Sequence, residues 1–254
     1  MNRQCISDNP GNNVNFGDLV ELVKTLREKC PWDRVQTLDS LKSKLIEESY
    51  ELVEAVEQED LDATVEELGD IIFLALFLVR ILEEKGKVDL DSVLASTVRK
   101  YKKKHPHVFA DKDLKDEKDV LHFWHKSKED IFAGIPIILP ALLAAKVIQE
   151  RASRLGFDWQ SHAGPLEKVK EEMRELEGDG EGEQREEMGD LLFACVNLAR
   201  HLDIDPEEAL RHANKKFVRR FREILRRLAA QGRDIESVSL EEMDRVWDDI
   251  KKDE

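Results

Sequence analysis

Along most of the chain apolar residues return every three or four positions with charged residues between them, the period of a helix that buries one face. This pattern predicts helices at about 16–29, 38–59, 61–85, 90–104, 117–130, 140–155, 165–177, 184–202, 206–230 and 240–252. No stretch shows the strict alternation of a half-buried strand. Glycine and proline, 12 and 7 in number, gather between the periodic stretches, where they punctuate helices. The segment from Phe132 to Pro140 reads as a linker, and Pro140 suits the first turn of the next helix, where a missing N–H costs nothing. The longest unbroken apolar run, Ile71 to Val79, is nine residues long. A membrane span needs ~18 to 20, so no partner membrane is expected.

Laid side by side, the two halves repeat. Glu66-Glu67-Leu68-Gly69-Asp70-Ile71-Ile72-Phe73 recurs as Glu186-Glu187-Met188-Gly189-Asp190-Leu191-Leu192-Phe193, a shift of 120. Upstream, Glu47, Glu48 and Glu51 match Glu171, Glu172 and Glu175; downstream, Lys100 and Lys104 match Lys216 and Arg220. Trp32 parallels Trp159, and Trp124 parallels Trp247. The chain is therefore expected to be all-α, one helical module written twice. The expected bounds are a flexible leader at 1–15, a first domain at 16–133, a linker at 134–139 and a second domain at 140–254.

The recurring acids follow the pattern E-E-x-x-E, a gap, then E-x-x-D. Acidic residues number 55 in 254, so this spacing alone arises by chance. Position on the helix is more telling. At about 100° per residue, Leu41, Leu45, Leu52 and Val56 form one apolar stripe and Glu48 falls within it; Glu67 lies on the line of Ile71, Leu74 and Leu78. In the second half Glu187 lies on the stripe of Leu191, Ala194 and Leu198, while Glu172 borders that of Leu166, Val169, Met173 and Leu176. Glu47, Glu51 and Asp70 flank the first pair of stripes, so several carboxyl groups converge between two packed helices. Clustered carboxylates facing a core repel one another unless protonated or neutralised by cations. Hard divalent ions with oxygen ligands meet that need.

Charge and composition narrow the chemistry. The formal charge is −15, which disfavours wholesale binding to nucleic acid. Three scattered cysteines, Cys5, Cys30 and Cys195, suggest neither a disulfide framework nor a zinc site, and the polar leader lacks a secretory apolar segment, so a cytoplasmic location is expected. None of the seven histidines stands three residues after a glutamate, which argues against a di-iron bundle. All-oxygen sites favour Mg2+, with Mn2+ as a substitute, and Mg2+ commonly shares its shell with substrate phosphates. The cationic pairs Lys100/Lys104 and Lys216/Arg220 then suit the remaining phosphate charge, although an i,i+4 pair on a solvated face explains each pair equally well.

The segments CPWDRVQT, LIEESYE, EELGDIIF, KYKKKHPHVFAD, GFDW, EEMGDLLFACVNLARHL and NKKFVRRFRE together resemble the MazG family of nucleoside triphosphate pyrophosphohydrolases in its two-domain form, across nearly the whole chain. The resemblance implies an all-α fold, a homodimer, and Mg2+-dependent hydrolysis of NTPs or dNTPs to the monophosphate and pyrophosphate with broad base tolerance, a house-cleaning activity. It places metal ligands at Glu47, Glu48, Glu51, Glu67 and Asp70, and again at Glu171, Glu172, Glu175, Glu187 and Asp190. Glu48 and Glu172 are candidates for ligand or for the base that orients water. Lys216, Arg220 and Trp247 match nucleotide-contacting positions of the second domain, with Lys100, Lys104 and Trp124 as their first-half counterparts. Trp124 and Trp247 suit either base stacking or anchoring of a terminal helix. Other members can carry a lysine facing the triphosphate between the two acid groups. Here that interval is LEGDGEGEQRE, four residues shorter than in the first half, and Arg185 is its cation. The reading from another class is a non-catalytic helical regulator that binds nucleotide or a partner; acids placed on apolar stripes in both halves weigh against it.

Overall fold

The structure is a computed structural model, and it describes residues 14–110, 120, 123, 130–177 and 183–253. The chain divides into two compact units, with the division between residues 113 and 114. Among the described residues there is no strand, and no helix is long and apolar enough to cross a membrane.

In the first unit, α1 (Phe16–Lys29) leads through a 3-10 turn (Asp33–Val35) to α2 (Leu38–Glu57), α3 (Leu61–Glu84), α4 (Leu90–Lys104) and a single turn, α5 (Pro106–Phe109). Polar caps set where these helices begin. Thr37 and Ser40 form a reciprocal capping box at α2, and the side chains of Asp60 and Asp89 accept from the first turns of α3 and α4. Helices α2 and α3 pack as a hairpin joined by three residues, where Glu59 takes φ 54°. The core of the unit is Val23, Leu41, Leu74, Leu76, Phe77 and Ile81, so α3 supplies most of it and α1 and α2 contribute one buried residue each. Arg27 fastens the end of α1: its Nη1 donates to the carbonyls of Asp33 and Gln36, and its Nε donates to Glu84 near the end of α3. The short α5 was not expected from the sequence. Pro106 opens it at a position where a helix needs no N–H.

The second unit comprises α6 (Ala141–Ser153), α7 (Ala163–Leu176), α8 (Glu183–His201), α9 (Pro206–Ala230), a 3-10 turn (Ile235–Ser237) and α10 (Leu240–Lys252). Helices α7 and α8 pack together, α6 lies against α8, and α9 touches α6, α8 and α10. One core cluster, Ile224, Leu228, Val238 and Ile250, binds α10 to α9. Ala194 and Val196 on α8 and Pro165 on α7 are also buried. Lys146 pairs with Asp205 at 2.7 Å, and the Leu143 amide donates to Glu207, which ties α6 to the start of α9. Arg151 donates to the carbonyls of Ile131 and Ala133, so this stretch, expected at the end of the first domain, is held to α6. The expected leader, except for residues 14 and 15, and most of the expected helix at 117–130 lie outside the described residues.

Two details of the expected stripes are corrected. On α2 the inward line runs Leu41, Leu45, Glu48, Leu52, Ala55, with Leu41, Glu48 and Ala55 buried and the two other leucines half-buried, and Val56 is exposed. On α7, Glu172 is not at the border of the apolar face but is its most buried side chain apart from Pro165, while Leu166 and Met173 face outward.

Candidate active site: two carboxylate clusters in register

The α2–α3 hairpin places one oxygen each from Glu48, Glu67 and Asp70 within 4.8 Å of one another; the α7–α8 hairpin does the same with Glu172, Glu187 and Asp190. Each triad takes one acid from the first helix and two, spaced i,i+3, from the second. In both, the acid of the first helix is the buried one: Glu48 is 4% exposed and Glu172 3%. Glu47, Glu51, Glu171 and Glu175 are exposed beside them. Gly69 and Gly189, between the two acids of α3 and of α8, face open space where a side chain would otherwise stand.

A lysine accompanies each buried glutamate. Lys44 Nζ lies 2.5 Å from Glu48 Oε1 and 3.2 Å from Glu47; Lys168 Nζ lies 2.5 Å from Glu172 Oε1 and 3.0 Å from Glu171. The ammonium groups hold the carboxyls of Glu48 and Glu172 below the ordinary range against the opposing effect of burial. Their neighbours move the other way. Burial, followed by the Glu48 carboxylate, raises Glu67 and Asp70; burial, followed by Glu175 and Glu172, raises Glu187. The second oxygen of Glu48 is buried with no hydrogen-bond partner. A buried carboxylate oxygen without a donor is costly, and a cation held among the three acids would satisfy it. The donor set is all carboxylate, which suits a hard divalent ion. The two lysines escaped the sequence reading, yet the signal was present as K-x-x-E-E in both halves.

The expected nucleotide-contacting residues are distributed as follows. Arg220 places its guanidinium 5.4 Å from the centre of the Trp247 ring, and Phe217 packs on the same ring at 5.4 Å. Trp247 is also partly buried against the α9–α10 core, so it anchors α10 while presenting a face to Arg220. Lys216 lines a concavity of about 360 Å³ with His212, Lys215 and Arg219. A larger one of about 810 Å³ runs along the same helix and includes Arg220, Arg222 and Arg226. Lys100 and Lys104 stand 5.9 and 5.7 Å from the Tyr101 ring on exposed α4. Arg185 is exposed on the first turns of α8, and Trp124 lies outside the described residues.

The motif residues GFDW also acquire a place. Asp158 receives two hydrogen bonds from Arg200 and lies 2.8 Å from His201 Nε2, which fastens the segment before α7 to the end of α8. Arg200, more than burial opposes it, holds the Asp158 carboxyl low. Trp159 lies flush on the backbone of Gly164, where an added Cβ would meet the indole at 2.0 Å. The indole therefore closes over the first turn of the helix that carries Glu172.

Comparison with known proteins agrees with this duplicated arrangement. The MazG nucleotide pyrophosphohydrolase domain matches the chain twice, at residues 36–109 and 160–225, so each match spans one acid-bearing hairpin. The chain is 39% identical to the nucleoside triphosphate pyrophosphohydrolase of Escherichia coli K12, over 93% of this chain and 97% of that protein. It is 40% identical to the nucleoside triphosphate pyrophosphohydrolase/pyrophosphatase MazG of Thermotoga maritima, over 94% and 96% of the two chains. It is also 40% identical to YabN of Bacillus subtilis, an uncharacterized protein of which the matched part is 52%. The chain belongs to the MazG family of nucleotide pyrophosphohydrolases, with the family's domain present twice.

Proposed function

We propose that this protein hydrolyses nucleoside and deoxynucleoside triphosphates between the alpha and beta phosphorus, releasing the monophosphate and pyrophosphate, with Mg2+ as cofactor and Mn2+ as a substitute. The observation that carries this reading is the pair of carboxylate triads in register, each built around a glutamate less than 5% exposed, on a chain whose family is named for that chemistry. Glu48, Glu67 and Asp70, and Glu172, Glu187 and Asp190, are the residues to hold the ion, with Glu47, Glu51, Glu171 and Glu175 at hand for a second. When bound, Mg2+ supplies Lewis-acid polarisation of phosphate oxygens and a more acidic water.

The chain's own residues do the rest. Glu48 and Glu172 serve as ligand or as the acceptor that orients the attacking water. Lys216 and Arg220 take the negative charge that gathers on the leaving pyrophosphate. Trp247 offers an aromatic face beside Arg220, and stacking on such a face is tolerant of base identity, which suits broad specificity and a house-cleaning role in the cytoplasm. Apolar residues left exposed in matching places on the two hairpins, Leu68 and Ile72 in one and Met188 and Leu192 in the other, support assembly as a homodimer.

Incubating the purified protein with each NTP and dNTP and Mg2+ tests the reading. Monophosphate and pyrophosphate are the expected products. Orthophosphate as first product would make it an ordinary NTPase, and binding without any product would make it a regulator.

A further inference from the structure

The two lysines that accompany the buried glutamates are not accounted for by the reaction. Lys44 and Lys168 occupy the same place in each repeat, four residues before the buried acid, and each bridges both members of its Glu-Glu pair. Helix-surface pairs of this spacing are common and weak when both partners are in water. These are different, because one partner is not in water. The side chains of Glu48 and Glu172 are 5% and 4% exposed, whereas those of Lys44 and Lys168 are 45% and 39% exposed. A buried carboxylate needs a counter-ion at all times; a half-exposed lysine, on a flexible four-carbon stem, can return to solvent at little cost. The acid is thus fixed and the cation exchangeable.

The same carboxylates form the triads with Glu67 and Asp70 and with Glu187 and Asp190. A divalent ion entering the triad and an ammonium group 2.5 Å from its central acid repel each other and draw on the same negative charge. Resting on the proposed metal site, we infer that Lys44 and Lys168 are exchangeable counter-ions: each neutralises the buried glutamate of its site while no metal is bound, and competes with the divalent ion for it. They are positioning residues that set how tightly each site takes its metal. Each half has its own lysine at the same place.

The experiment is calorimetric titration of Mn2+ into the metal-free full-length protein, together with its thermal melt in chelator. The variants are Lys44→Met, Lys168→Met, the double variant, Lys168→Arg and Glu172→Gln. Removing a unit charge at this distance should tighten Mn2+ binding at the affected site by at least about tenfold. Lys168→Arg, which keeps the charge, should bind like the wild type. In chelator the double variant should melt lower than the wild type, and its gain on adding Mn2+ should be larger. A merely structural ion pair would lower the melt without altering Mn2+ affinity. Unchanged or weaker binding by folded Lys→Met variants therefore overturns the inference, provided the wild type binds Mn2+ and Glu172→Gln loses a site. If the wild type binds no Mn2+ at all, the metal reading falls and this inference with it.

Discussion

Replacing Glu67 by glutamine should make the metal-free protein more stable. Oxygens of Glu48, Glu67 and Asp70 lie within 4.8 Å of one another. At that separation two like charges repel by about 0.9 kcal/mol in water and by about 3.5 kcal/mol at an effective dielectric of 20. Glu67 is only partly buried, and Lys44 offsets part of the charge on Glu48, so the lower figure applies. An isosteric amide removes the charge and can donate to Glu48, and the gain should be about 1 kcal/mol, or roughly 4 °C in melting temperature. The pH dependence fixes the sign. Burial and Glu48 raise the Glu67 carboxyl above its ordinary value, so the folded state holds that proton more tightly than the unfolded chain does. Wild-type stability is therefore lost as pH rises from the ordinary carboxylate range through the folded value, and the advantage of Glu67→Gln should grow over the same interval and vanish below it. Scanning calorimetry in chelator from pH 4 to 8 measures this. Excess Mg2+ should reverse the order, because wild type gains about 2.7 kcal/mol at a hundredfold excess over its dissociation constant while the variant gains less. A variant that melts below the wild type in chelator at neutral pH, or that gains equally from Mg2+, would refute the reasoning.

Three further outcomes are expected. In initial-rate assays Glu187→Ala should cost more activity than Glu67→Ala, and the double variant should be inactive; equal losses, or a larger one from Glu67→Ala, would remove the second half as principal site. Asp158→Asn should destabilise the second unit by about 1–2 kcal/mol at neutral pH through its bond to Arg200. Because Arg200 holds the Asp158 carboxyl low, that contribution is present above the ordinary carboxylate range and lost as pH falls through the folded value, so urea curves of the two proteins should converge in acid. Trp247→Phe should keep most of the α10 packing but raise KM for all NTPs alike, whereas a base-selective change would contradict a stacking role indifferent to base.

The helical pattern made the fold class and the duplication legible, because a 3.6-residue period and a repeated EE-x-GD segment are both statements about sequence spacing. Glu48 was visible for the same reason: it sits in a row of leucines. Depth was less legible. The periodic rule counts Val56 and Ala55 as near neighbours of Leu52, but the hairpin buries the line that advances alternately by four and three residues, so Ala55 is inside and Val56 outside. The apolar neighbours Leu166 and Met173 place Glu172 at a border in the sequence pattern, yet those two face outward. Apolar residues on a helix that uses two faces give no unique direction. The lysines were missed because lysine reads as a surface residue; only the burial of its partner gives Lys44 a role that Lys42, paired with exposed Asp39, does not have.

The difference in length between the two acid intervals also has a structural reading. Helix α2 continues six residues beyond Glu51, and α3 begins six residues before Glu67. Helix α7 ends one residue after Glu175, and α8 begins four residues before Glu187. The length is thus lost beyond the acids, and each hairpin still gathers its triad within 4.8 Å. The second hairpin carries one and four helical residues beyond its acids where the first carries six and six, so the loss of helix exceeds the four-residue difference between the intervals. Less helix stands between the acids and the tip of the second hairpin than in the first. The repeats thus share their carboxylate set and differ in how much helix extends beyond it.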